Sequence, residues 1–162
     1  MAYEDIREQV AAILASVDGA GIVHQFQRWA ANRKAFVELF RDPDNRINGW
    51  IITRQQAPQR KVTMGEKERA HIFLLRKIYG HDDEAGSELV FQKHLEDVQN
   101  TFDDDDYVDL NDECLTTIPD WGPMSGLAGF QIDNAADLRL ISGILCHYAE
   151  CRLCAIERVE DT

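Results

Sequence analysis

Residues 138–159 read LRLISGILCHYAECRLCAIERV, and the fold turns on whether this stretch is strand or helix. From His147 onward the odd positions His147, Ala149, Cys151, Leu153, Ala155 and Val159 are mostly apolar, and Tyr148, Glu150, Arg152 and Arg158 are mostly polar. That alternation is the pattern of a strand with one buried face. A helix through Leu138, Ile141, Leu145 and Tyr148 is the other reading, but it holds Gly143 in its interior and Arg152 on its apolar face. The strand reading predicts a pair: Leu127 to Asp133, a turn at Asn134-Ala135-Ala136-Asp137, then Leu138 to Val159 with a bulge at Gly143.

The rest of the chain supplies helices to cover such a sheet. Ile6, Val10, Ile13, Leu14 and Val17 form one stripe, which predicts an amphipathic helix over Tyr3 to Val17. Asp18-Gly19-Ala20-Gly21 stops it. Ile22 to Trp29 reads as a short strand, Asn32 to Phe40 as one or two helical turns, and Arg41 to Asn45 as a turn. Ile47 to Gln55 has the β-branched and aromatic content of a strand, and Trp29 and Trp50 read as sheet residues over the first helix. Glu68 to Tyr79 is apolar on both faces, which predicts a central strand. Between these two strands, Gln56 to Lys67 reads as a long basic hairpin arm. Phe91, Leu95, Val98 and Phe102 return to helical spacing. The expectation is one α+β domain over 1–162, with a mainly antiparallel or mixed sheet, an N-terminal helix and a second helix packed on it, and an acidic loop insertion at about 103–126.

Charge is segregated along the chain. Residues 82–120 carry 14 acids against the single base Lys93, whereas residues 1–81 carry 13 bases and 9 acids. The net charge of −12 disfavours a protein that reads nucleic acid through phosphate contacts. An acidic region and a basic region on one chain suit a second copy as partner, and an acidic loop that keeps the chain soluble is the plainer reading. The start, MAYEDIREQV, has no apolar h-region, so no signal peptide is expected, and no apolar run approaches a membrane span. Four Cys without an export signal read as reduced thiols.

Few motifs point to chemistry. Cys151 and Cys154 form a lone CxxC; on a helix His147 would join them on one face as metal ligands, whereas on a strand the two sulfurs point apart. Cys146-His147 resembles a nucleophile and base, but strand neighbours face opposite sides. The aspartate run from Asp103 lacks the glycine and acid spacing of a calcium loop. No phosphate-binding, dinucleotide or hydrolase motif occurs.

The order of elements resembles the tail terminator (tail completion) proteins of long-tailed bacteriophages. IREQVAAILASVDGAGIVHQFQRW from Ile6, INGWIITRQ from Ile47, DDEAGSELVFQKHLEDV from Asp82 and LCHYAECRLCAIE from Leu145 carry the likeness. The resemblance implies a structural virion protein that is not an enzyme and uses no cofactor or metal. It implies a homohexameric ring at the head-tail junction, assembled in the host cytoplasm. Such a ring caps the tail tube protein, stops its polymerisation and offers a docking face to the head-completion or connector protein. Other head-tail joining, neck or minor tail proteins are the first alternative, and a cytosolic enzyme or zinc protein using His147, Cys151 and Cys154 the second.

For a ring of this kind, Arg60, Lys61 and Lys67 on the arm and the acidic block supply complementary rims between neighbours. DNA passes through the bore without sequence-specific binding, and a carboxylate lining would repel it. Asp103, Asp104, Asp105, Asp106, Asp109 and Asp112 are therefore the expected channel or interface residues.

Overall fold

The computed structural model describes residues 3–103, 109–111, 114–115 and 119–160. Among these residues three helices, α1 (Tyr3–Ala15), α2 (Arg33–Phe40) and α3 (Ser87–Asp103), pack on a sheet. Its strands are β1 (Ile22–His24), β2 (Asn48–Gln56), β3 (Gln59–Thr63), β4 (Glu66–Gly80), β5 (Asp109–Asn111), β6 (Cys114–Leu115), β7 (Phe130–Ile141) and β8 (Ile144–Glu160). The strand order is β1-β2-β4-β8-β6-β5, with β3 beside β4 and β7 beside β8. Among the described strands only β1 against β2 is parallel, so the sheet is mixed but mainly antiparallel.

The two long central strands β4 and β8 pair without a slip from Glu66↔Glu160 to Gly80↔Cys146. Their alternation sets two faces. On one face, Ile6, Val10 and Leu14 of α1 and Phe91, Leu95, Val98 and Phe102 of α3 bury Trp50, Phe73, Leu75, Phe130 and Leu153. The opposite face is covered in two pieces. Phe36 and Phe40 of α2 sit on Ile51, Ile78, Cys146 and Tyr148, while Met124 and Trp121 sit on Ala70, Ile72 and Cys154. Helix α2 starts where its N-cap Asn32 accepts a hydrogen bond from Ala35 N at 2.9 Å.

Three expectations need correction. The hairpin of β7 and β8 turns at Ser142-Gly143, both at positive φ (49° and 81°), not at Asn134–Asp137. Asn134 does make a local turn-like bond, its Oδ1 accepting from Ala136 N at 3.2 Å, but the chain bulges there and resumes pairing with β8. Gly143 is therefore a turn residue and no bulge. The strand expected over Ile22 to Trp29 ends at His24, whose Nε2 donates to Leu39 O at 2.8 Å and whose ring meets Phe40 edge-on. Trp29 is then left 83% exposed, away from the first helix. Trp50 lies in the core as read.

One glycine is required where α1 gives way to β1. Gly21 has φ +69°, and a Cβ there would lie 2.3 Å from Asn48 O.

Candidate functional site

The arm grows from an unusual pairing. β2 and β3 use the same edge of β4 in succession, β2 from Ile72 to Tyr79 and β3 from Glu66 to Arg69. Pro58 breaks the ladder between them, and its carbonyl accepts from Ala70 N at 2.9 Å. Because β8 accompanies β4 as far as Glu66, the expected two-strand arm is a three-strand ribbon of β3, β4 and β8. Every side chain of β3 is exposed. At the ribbon's tip Val62 is 48% exposed and Met64 wholly so.

The three basic candidates meet on this ribbon. Lys61 lies directly across from Lys67. Arg60 is held internally: its Nη2 donates to Glu68 at 2.9 Å and Asp120 at 3.2 Å, and its guanidinium lies 5.1 Å over the Trp121 ring. Of the acidic candidates, Asp103 is the exposed last residue of α3. Asp109 begins β5, at the same end of the sheet as the arm but on the opposite edge. Asp104, Asp105, Asp106 and Asp112 lie outside the described residues.

The zinc trio does not converge. Because 144–160 is a strand, His147 and Cys151 face α3, while Cys154 faces the opposite side against Ala70, Ile72 and Met124. Burial pushes the thiols up, Cys146 and Cys154 to about 11 and Cys151 to about 12, which makes them poor nucleophiles. His147 stacks on Phe91 and Tyr79, and its Nε2 lies 2.8 Å from Ser87 Oγ. The Ser87 hydroxyl also accepts from Asp82 N at 2.8 Å, so this contact pins the start of α3 to β8.

A cleft of about 530 Å³ opens between α3, the turn after α1 and the loop before β2. Lys77 reaches its floor fully buried, and Nζ donates to Gly19 O, Ala20 O and Asn48 Oδ1. Burial pushes this ammonium down to about 7 against the upward pull of Asp42. Asp42 in turn accepts from Asp44 N, Arg46 N and Asn48 Nδ2 at 2.9–3.1 Å. These polar groups spend their bonds on one another, so the network clamps the two loops together.

The feature that sequence reasoning missed is the tip of the β7–β8 hairpin. Register places Leu138 with His147 and Leu140 with Leu145, so all three leucines point to the α3 face. The hairpin runs on past the start of α3, leaving Leu138 51%, Leu140 72% and Leu145 41% exposed. Leu89, in the first turn of α3, is 73% exposed. The exposed acids Asp82, Asp83, Glu84 and Glu88 border this end of the molecule, where His81 N donates to Leu145 O at 3.0 Å. The alternation Leu138-Arg139-Leu140 was visible, but alternation does not tell whether a face is covered.

Neither the known family models nor the curated proteins match this chain.

Among the described residues, no helix is long and apolar enough to cross a membrane.

Proposed function

We propose that this chain is a structural subunit that works by assembling with copies of itself, and that its assembly is a ring of the tail terminator kind. One observation carries the reading: β3 is an edge strand with all five side chains exposed, on a ribbon with an apolar tip. An edge strand of this type can accept a further strand from a partner. Two further features support the reading. The helix-strand-arm-helix-strand-pair order agrees with the resemblance drawn from the sequence. Strand β3, with Arg60 and Lys61, and strand β5, which begins at Asp109, flank the same end of the sheet on opposite edges, which suits neighbours placed side by side.

In this role the ring caps the tail tube protein, ends its polymerisation and presents a face to the head connector. No bond is made or broken. The test is to assemble tails with and without the chain and image them. Overlong tubes in its absence, and ring-shaped density at the head-proximal end in its presence, are expected. Tubes of normal length without it, density elsewhere, or reproducible turnover by the isolated chain would overturn the proposal.

A further inference from the structure

We infer that a second copy of this chain seats its acidic segment 103–109, through Tyr107, in an aromatic pocket beside α2. The inference deepens the ring reading and rests on it. The pocket, of about 240 Å³, lies on the sheet face opposite α1 and α3. Phe36 and Phe40 of α2, Ile78 of β4 and Tyr148 of β8 line it. Trp29, 83% exposed, stands at its rim. The volume falls below the roughly 300–1,000 Å³ of usual small-molecule sites and suits one aromatic side chain.

The polar lining selects an anion. Arg28 and Arg76 line the pocket, and none of its lining residues is acidic. Arg76 Nη2 donates to Gln27 Oε1, and its Nε is buried without a partner among the described residues. The Arg28 guanidinium lies 5.0 Å over the Phe26 ring, with Nη1 3.4 Å from His24 Nδ1. The acids nearby are engaged. Glu150, across from Arg76 in the β4–β8 register, accepts from the Tyr148 hydroxyl at 2.9 Å, and Asp137 pairs with Arg139 at 3.2 Å. Residues 22–41, which hold the Trp29 loop and α2, carry Arg28, Arg33, Lys34 and Arg41 against Glu38 alone. Guanidiniums beside an aromatic floor match an aromatic side chain flanked by carboxylates.

The chain itself contains such a group. Residues 103–109 read DDDDYVD, and no other seven consecutive residues hold as many acids. A copy cannot fill its own pocket. Asp109 pairs with Leu115, and Leu115 with Ile156, which lies roughly 26 Å along β8 from Tyr148. Tyr107 is two residues from Asp109, a reach of roughly 7 Å. The contact is therefore between copies. β1 and β5 stand at opposite ends of the strand order, and the loop after β1 carries Arg28 and Trp29. Neighbours placed side by side thus set one copy's acidic edge against the next copy's pocket edge. Such a contact is heterologous, so it propagates from copy to copy until the rotation closes.

The test titrates a synthetic peptide of residues 103–110, acetylated and amidated, into the full-length chain. Indole N–H signals are followed by NMR, with Trp29 assigned through Trp29→Phe. A saturable shift at Trp29, with Trp50 and Trp121 unmoved, is expected. A Tyr107→Ser peptide, and Arg28→Gln or Arg76→Gln in the chain, should each weaken binding about tenfold. Raised salt should weaken it as well. In sedimentation velocity, Tyr107→Ser and Arg76→Gln chains should each lose self-association. Mixed, they should form a one-to-one pair, because the first keeps its pocket and the second its acidic segment. Circular dichroism melts check the fold, and the Tyr107→Ser peptide carries the test if an arginine variant does not fold. The inference fails if the peptide does not bind, if any of these substitutions leaves binding unchanged, or if the native chain stays monomeric throughout. It also fails if 4-hydroxyphenylacetate binds as tightly as the peptide, which would mark a free small acid as the ligand. Tube length and ring position in imaged tails are separate readouts, so failure of this contact is distinguishable from failure of the capping role.

Discussion

Trp50 Nε1 donates a 3.0 Å hydrogen bond to His94 Nε2 in the buried layer between β2 and α3. An indole nitrogen only donates, so Nε2 must accept and the imidazole proton sits on Nδ1, which donates to Asp18 O at 2.8 Å. One neutral tautomer thus ties strand, helix and turn together. Burial, reinforced by the Lys77 charge, pushes His94 down to about 4.

Acid sensitivity follows from that ring. Between pH 6.5 and 4 the unfolded chain takes up a proton at His94 that the folded chain refuses, so stability falls as pH drops through this window. The full effect is about 3 kcal/mol. Urea melts at a series of pH values should show this slope in the native chain and lose it in His94→Gln. An equal slope in both would refute the assignment.

Lys77 acts in a different window with the same sign. With a folded value of about 7 against 10.5, the unfolded chain holds the proton longer, so stability should rise from pH 7 toward 10.5. Lys77→Ala removes the Lys77 donor from Ala20 O and Asn48 Oδ1, leaves Gly19 O with Asn48 Nδ2 alone, and opens a void, at a cost of about 2–4 kcal/mol at pH 7. Denaturant midpoints at two pH values check both statements.

Two backbone substitutions should move stability in opposite directions. Gly21→Ala meets both a positive φ and the Asn48 carbonyl, so it should destabilise by more than about 2 kcal/mol. Ser142→Asn puts a residue that tolerates positive φ into the two-residue hairpin turn and should stabilise by about 0.5 kcal/mol. Thermal melts of the two variants decide.

Thiol labelling tests the enzyme alternative. Cys146, Cys151 and Cys154 are buried with raised thiol values, so alkylation at mildly alkaline pH followed by mass mapping should modify them only after unfolding. Rapid native-state modification of Cys151 would reopen a nucleophilic role.

Periodicity alone determined much of this protein. The stripes of α1 and α3, the two-sided apolar content of β4 and the alternation from His147 each report an element and its buried face, because side-chain direction repeats with backbone geometry. What covers each face was decided only by tertiary structure. Trp29 and the tip leucines look like core residues in sequence, yet the chain leaves β1 at His24 and the β7–β8 hairpin outruns α3. The turn position was likewise a tertiary decision. Asn134–Asp137 carries strong local turn chemistry, but pairing with β8 on both sides of it holds the strand together, and the reversal falls at Ser142-Gly143. Ladder bonds and a shared core along the whole of β8 outweigh one local side-chain bond.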